Sequence, residues 1–150
     1  MELGYTIDQL HVGQSATIGK TITEADILLF AGVSGDVNPA HLNQEYAEQT
    51  MFKGRIAHGM LSAGLVSAVL GTKLPGFGTI YLSQTLKFKA PVKIGDTIQV
   101  ELTCKQKTPK QQRDPNQKPH GVVVWDIKVK NQRNELVATY DILTLVERGA

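Results

Sequence analysis

Cysteine is nearly missing from this sequence. Cys104 is the single one, so no internal disulfide can form, and a reducing cytoplasm suits the chain. Excess charge is missing too. Sixteen Lys and Arg stand against fourteen Asp and Glu, a net charge of +2, which gives no electrostatic case for nucleic acid. No apolar run reaches the ~20 residues that a membrane helix needs. Met1 to Tyr5 has neither a basic nor an apolar stretch, so the start does not read as a signal peptide. There is no internal repeat and no sign of a second domain. What remains is an ordinary globular composition, 41% apolar and 20% charged over 150 residues. That predicts one domain, 1–150, with a real core.

A local absence is more informative. From Ala57 to Leu70 there is no Asp, Glu, Lys or Arg. Met60, Leu61, Leu65, Val66, Val69 and Leu70 spread round the helical wheel, which predicts a helix buried on most sides. Gly71, Lys73 and Pro75 close it. Upstream, Thr23 reads as the N-cap of a helix over about 24–33, with Asp26 favouring its positive end. Ile27, Leu28, Phe30 and Ala31 supply that helix's apolar side. Asn43 reads as the cap of a second short helix ending near Thr50.

Between these helices lies Ser34-Gly35-Asp36-Val37-Asn38-Pro39-Ala40-His41. Proline crowds the residue before it, so Asn38 is disfavoured in a helix. The segment therefore reads as a shaped loop. It carries a carboxylate and an imidazole, a workable acid and base pair near neutral pH. The plainer reading is a turn aspartate and a packed histidine.

The rest of the chain reads as strands. Ala16 to Ile22 suits a short edge strand. Ile80, Leu82, Leu86 and Phe88 alternate with polar neighbours; so do Ile98 to Cys104 and Val123 to Val129. Leu136 to Val146 is a less regular last strand. Gly95-Asp96 and 131–134 are turns, and Thr108–His120 is a long Pro-, Gln- and Lys-rich connection. One buried helix and several long antiparallel strands predict an α+β layer fold, with the sheet curled round the helix.

Phe30 to Ala47, Arg55-Ile56-Ala57-His58-Gly59-Met60-Leu61, Leu74 to Tyr81 and Lys87 to Asp96 together resemble the MaoC-like (R)-specific enoyl-CoA hydratases. The most specific part is Asp-x-Asn-Pro-x-His. Ala40 stands where the family usually carries a larger aliphatic residue, and the 108–120 connection is longer and more basic than is typical. The resemblance implies a hot-dog fold, a homodimer joined edge to edge, and no cofactor. The substrate it implies is an acyl-CoA or acyl-carrier-protein thioester. It implies that Asp36 and His41 hold a water between them, Asp36 as base and His41 as acid, with Asn38 orienting the loop. The Gly59 backbone amide would hold the thioester oxyanion, and His58, Ser67 and Leu70 would touch substrate. For His58, helix capping or packing is the plainer role. Rival activities are a hot-dog thioesterase and a catalytically silent acyl-CoA-binding subunit. The spacing of Asp36, His41 and His58 matches no zinc motif. Cys104 falls on the apolar side of its strand and reads as core. Lys87, Lys89, Lys93, Lys105, Lys107, Lys110, Arg113 and Lys118 are candidates for carrier phosphates, or simply solvated surface.

Overall fold

The computed structural model describes residues 2–149; Met1 and Ala150, the ends of the predicted domain and of the signal-peptide argument, lie outside them. Among the described residues nine elements follow one another: β1 (Ser15–Thr21), α1 (Glu24–Ser34), α2 (Pro39–Leu42), α3 (Gln44–Glu48), α4 (Gly59–Thr72), β2 (Ile80–Phe88), β3 (Thr97–Pro109), β4 (His120–Lys130) and β5 (Leu136–Glu147). The strands form an antiparallel sheet in the order β1-β3-β4-β5-β2, with β1 and β2 at its edges. The sheet packs α4 against β1, β3 and β2. This is the α+β, helix-in-sheet architecture the alternation predicted.

The alternation works because successive side chains face opposite sides of a strand. Ile98, Val100, Leu102 and Cys104 turn inward from β3, and Val123, Trp125, Ile127 and Val129 from β4; all are buried. Trp125 adds a buried bond, Nε1–H donating to Thr144 Oγ1 at 2.8 Å. Cys104 is buried as expected, and that burial pushes its thiol above the ordinary value. β3 runs on to Pro109, past the end its alternation predicted, over a register shift between Cys104 and Gln106. The connection it leaves, residues 110–119, follows the end of β3 opposite Thr97, whereas the Thr97 end follows the 92–93 segment paired with Ile56 and Ala57.

β2 departs from its pattern. A bulge between Tyr81 and Ser83 shifts the register, so the inward phase changes side along the strand. Tyr81 and Leu86 are half-buried, whereas Ile80, Leu82 and Phe88 stay about half exposed. The predicted side of α1 also shifts: Ile27 and Ala31 are buried, but Leu28 is exposed with Leu29 and Val33.

Nor is α4 enclosed all round. Leu61, Ser62, Ala63, Val66, Val69 and Leu70 are buried, yet Met60, Gly64 and Ser67 form an exposed stripe at helical spacing. That stripe faces a groove walled by Phe30, Tyr81 and Gln84. The helix is thus buried on most sides, as predicted, and of its predicted apolar residues Met60 lies on the uncovered side.

Candidate active site

The Asp–His segment is built from local bonds outward. α1 starts with a reciprocal cap, Asp26 N–H to Thr23 Oγ1 at 3.2 Å and Thr23 N–H to Asp26 Oδ2 at 2.9 Å. It ends at Gly35, whose φ of 77° is left-handed, a conformation glycine adopts without steric cost. Ser34 Oγ donates to Phe30 O at 2.6 Å and accepts from Asp36 N–H at 3.1 Å. Asn38 N–H donates to Asp36 Oδ1 at 3.3 Å, and Asn38 Oδ1 accepts from Ala40 N–H at 3.0 Å. Asn38 thus orients both the loop and one carboxylate oxygen. It also corrects the prediction of a non-helical run through His41. Pro39 fits the first position of a helix, so α2 begins there and His41 stands on its single turn.

His41 Nδ1 lies 2.8 Å from Ile56 O. A carbonyl only accepts, so Nδ1 carries the hydrogen and Nε2 faces outward. That Nε2 is 4.0 Å from Asp36 Oδ2. The gap is too long for a direct hydrogen bond, yet both atoms can reach one water at ~2.8 Å. Asp36's side chain is 50% exposed and His41's 12%, so solvent arrives from the carboxylate side.

Residues 55–58 support this pair from behind. Arg55 Nε donates to His41 O at 2.6 Å, and its Nη1 reaches Glu24 Oε2 at 2.8 Å. Ile56 N–H donates to Ala40 O at 3.2 Å, and Ala57 N–H to Val92 O at 2.7 Å. His58 is the N-cap residue of α4, but its side chain makes no capping bond. Its Nε2 instead lies 2.9 Å from Asp36 O. The capping role weighed for His58 is therefore replaced by a tie to the loop.

Because no side chain caps α4, its first amides stay available at the positive end of the helix dipole. Gly59 is the first helical residue. A Cβ there would come within 2.5 Å of the Phe88 ring, so any larger residue would have to push that half-exposed ring aside. A cavity of about 440 Å³ opens at this helix end, lined by His41, His58, Gly59 and Ser62 among apolar groups such as Met51, Phe52, Phe88 and Val137.

The structure brings Asp36, Asn38, His41, His58 and Gly59 together. Ser67 and Leu70 are elsewhere: Ser67 opens onto the groove beside β2, and Leu70 is buried in the core. Their predicted substrate contact is not provided by this cavity, because the turn of α4 carries them past its mouth. Ile56, Ser62, Phe88 and the Met51-Phe52 pair join the site although the sequence marks none of them as site residues. Ile56 lay within a motif already singled out, but its contribution is a carbonyl, which residue type does not reveal. Of the basic residues that are candidates for carrier phosphates, Lys89 lines the cavity; Lys110, Arg113 and Lys118 line a separate hollow on the 110–119 connection.

Sequence spacing gave no hint of a metal cluster, yet one donor atom each of Asp36, His41 and His58 lies within 4.8 Å of the others. His41 Nδ1, His58 Nε2 and Asp36 Oδ1 are already committed to backbone partners. The groups left facing one another are Asp36 Oδ2 and His41 Nε2, an arrangement for moving a proton.

A sheet curled on one helix, with a carboxylate and an imidazole facing each other at that helix's uncapped start, defines a hot-dog protein. Residues 9–125 match the MaoC like domain, and the chain belongs to that family. Over 96 residues it is 64% identical to an (R)-specific enoyl-CoA hydratase of Rhodospirillum rubrum, covering 64% of this chain and 67% of that protein. A 3-hydroxybutyryl-CoA dehydratase of Methylorubrum extorquens is 47% identical over 106 residues, 71% of this chain and 68% of that one. Among solved structures, the unliganded R-hydratase PhaJ1 of Pseudomonas aeruginosa superposes with a TM-score of 0.85 at 44% identity, covering 96% of this chain and 86% of that one.

Proposed function

We infer that the chain is an (R)-specific enoyl-CoA hydratase, a hydro-lyase that adds water across a trans-2-enoyl thioester or removes it from the (R)-3-hydroxyacyl form. The names of its relatives support the activity. The observation that carries the chemistry is the 4.0 Å gap between Asp36 Oδ2 and His41 Nε2 beside the free amides of α4.

One water sits in that gap. Asp36 Oδ2 takes a proton from it as oxygen attacks C3. His41, protonated at Nε2, delivers a proton to C2, and the water-derived proton on Asp36 then passes to His41 to reset the pair. Paired groups in different settings suit such a division of roles: one is half in solvent and accepts a loop amide, the other is backed by a carbonyl. Negative charge developing on the thioester oxygen meets the Gly59 N–H, a preorganised donor at a helix start. The substrate is a CoA or acyl-carrier-protein thioester, held in the apolar cavity, and the protein's own groups suffice without a cofactor.

A homodimer joined edge to edge completes the proposal. Unpaired strand edges are covered in folded proteins, and β2 is an edge strand with Ile80 and Leu82 half exposed beside the bare α4 stripe. Among the described residues no helix is long and apolar enough to cross a membrane; the single cysteine favours a cytoplasmic setting.

A crotonyl-CoA absorbance assay tests the activity. Loss of the enone absorbance without free thiol is the expected result. Released thiol would indicate a thioesterase instead, and binding with neither signal an acyl-CoA sensor.

A further inference from the structure

We propose that His58 is a positioning residue for the hydration step, not a substrate contact: it fixes Asp36 from behind and backs the ring of His41. The inference rests on the hydratase reading above. His58 is 2% exposed, and its Nε2 is 2.9 Å from Asp36 O. The carbonyl accepts, so Nε2 carries the hydrogen. The bond reaches the backbone of the residue whose carboxylate handles the water. The ring also stacks on His41, centroids 3.8 Å apart and planes 29° apart, and the Phe30 ring lies 4.7 Å from it, tilted by 52°. One side chain therefore touches both members of the pair.

The second nitrogen shows that packing is not the whole reason for an imidazole. His58 Nδ1 is buried and has no hydrogen-bond partner. Burying an unpaired polar atom is costly, and a phenyl ring would fill the same stack without that cost. The imidazole provides one thing phenyl lacks, the Nε2–H aimed at Asp36 O. Its neighbours strengthen the assignment. Arg55 and Ile56 grip the His41 and Ala40 carbonyls and the His41 ring, and His58 extends the same strap to Asp36. The strap thus holds both ends of the water-sized gap.

The test compares three variants in the crotonyl-CoA assay. Glutamine places its amide nitrogen where Nε2 stands; asparagine reaches only as far as Nδ1; phenylalanine keeps the ring and loses the donor. His58→Gln is expected to retain kcat within about fivefold of wild type. His58→Phe and His58→Asn are expected to lose about a hundredfold in kcat, the scale of a 1 Å misplacement, with KM changed less than about twofold. If the asparagine chain fails to fold, the glutamine and phenylalanine pair decides alone. A KM that rises tenfold at unchanged kcat would make His58 a substrate contact and overturn the proposal. Equal kcat in the Phe and Gln variants would reduce it to packing and also overturn it. An inactive wild type would instead remove the hydratase reading on which it rests.

Discussion

Two connectors in this chain look alike on paper and behave differently in space. Residues 35–43 and 110–119 are both polar, both contain proline, and both join regular elements. The first is tied from outside at several points: His58 holds Asp36 O, Ile56 holds Ala40 O and the His41 ring, and Arg55 holds His41 O. The second is held mainly by itself. Gln112 bonds to Asp114 O and Gln117 O, and Asn116 N–H to Asp114 Oδ1; Arg148 N–H to Pro119 O anchors it at one end. Loops carry chemistry when a scaffold fixes them, and what separates these two is bonding from elsewhere in the fold.

The largest effects are expected where that fixing matters. Asp36→Asn and His41→Gln should each lower kcat about 10²–10⁴-fold, with the circular dichroism spectrum unchanged; near-normal turnover in either would cancel the roles assigned. Gly59→Ala should cost about 1 kcal/mol, the low end for overpacking, because the half-exposed Phe88 ring can give way. Adding Phe88→Ala in the same chain should recover most of that stability in a denaturant titration. Asp26 is a subtler test, because α1 is the footing of the first connector. The Thr23 backbone N–H holds its carboxyl below the ordinary 3.8, helped by Lys20. A depressed carboxyl stabilises above its unfolded value and loses that contribution as pH falls through the folded one. Asp26→Asn should therefore cost about 1 kcal/mol at neutral pH, with the difference from wild type shrinking below pH 3.8. The smallest effect belongs to the second connector. Replacing residues 112–117 by Gly-Gly should leave kcat/KM within about twofold, since loop length costs little entropy; a large loss would erase the contrast.

The same contrast explains what could be read from residue order. Alternation placed Ile98 to Cys104 and Val123 to Val129 correctly because burial on one face is a local, period-two property. The caps at Thr23 and Asn43 were readable for the same reason, since each bond spans three residues. The resemblance marked Asp36, His41 and Gly59, and the fold brings them together. The inward phase of β2 was not readable, because a bulge adds a residue without changing composition. The bare stripe on α4 escaped notice because apolar pattern reports a preference for burial and says nothing of what supplies it. The tasks of Ile56 and Arg55 are not legible in residue type, because their partners lie fourteen or more residues away and a main-chain carbonyl has no letter in the sequence.

The strap at 55–58 is stitched on both flanks. It forms an antiparallel bridge from Ile56 to Lys93, and Ala57 N–H bonds to Val92 O, while its other side holds the proline-bearing turn. Heat that loosens the turn must also peel the strap from the 92–93 segment. Turnover should therefore vanish in the same thermal transition as near-ultraviolet ellipticity, with no inactive but still folded plateau before it.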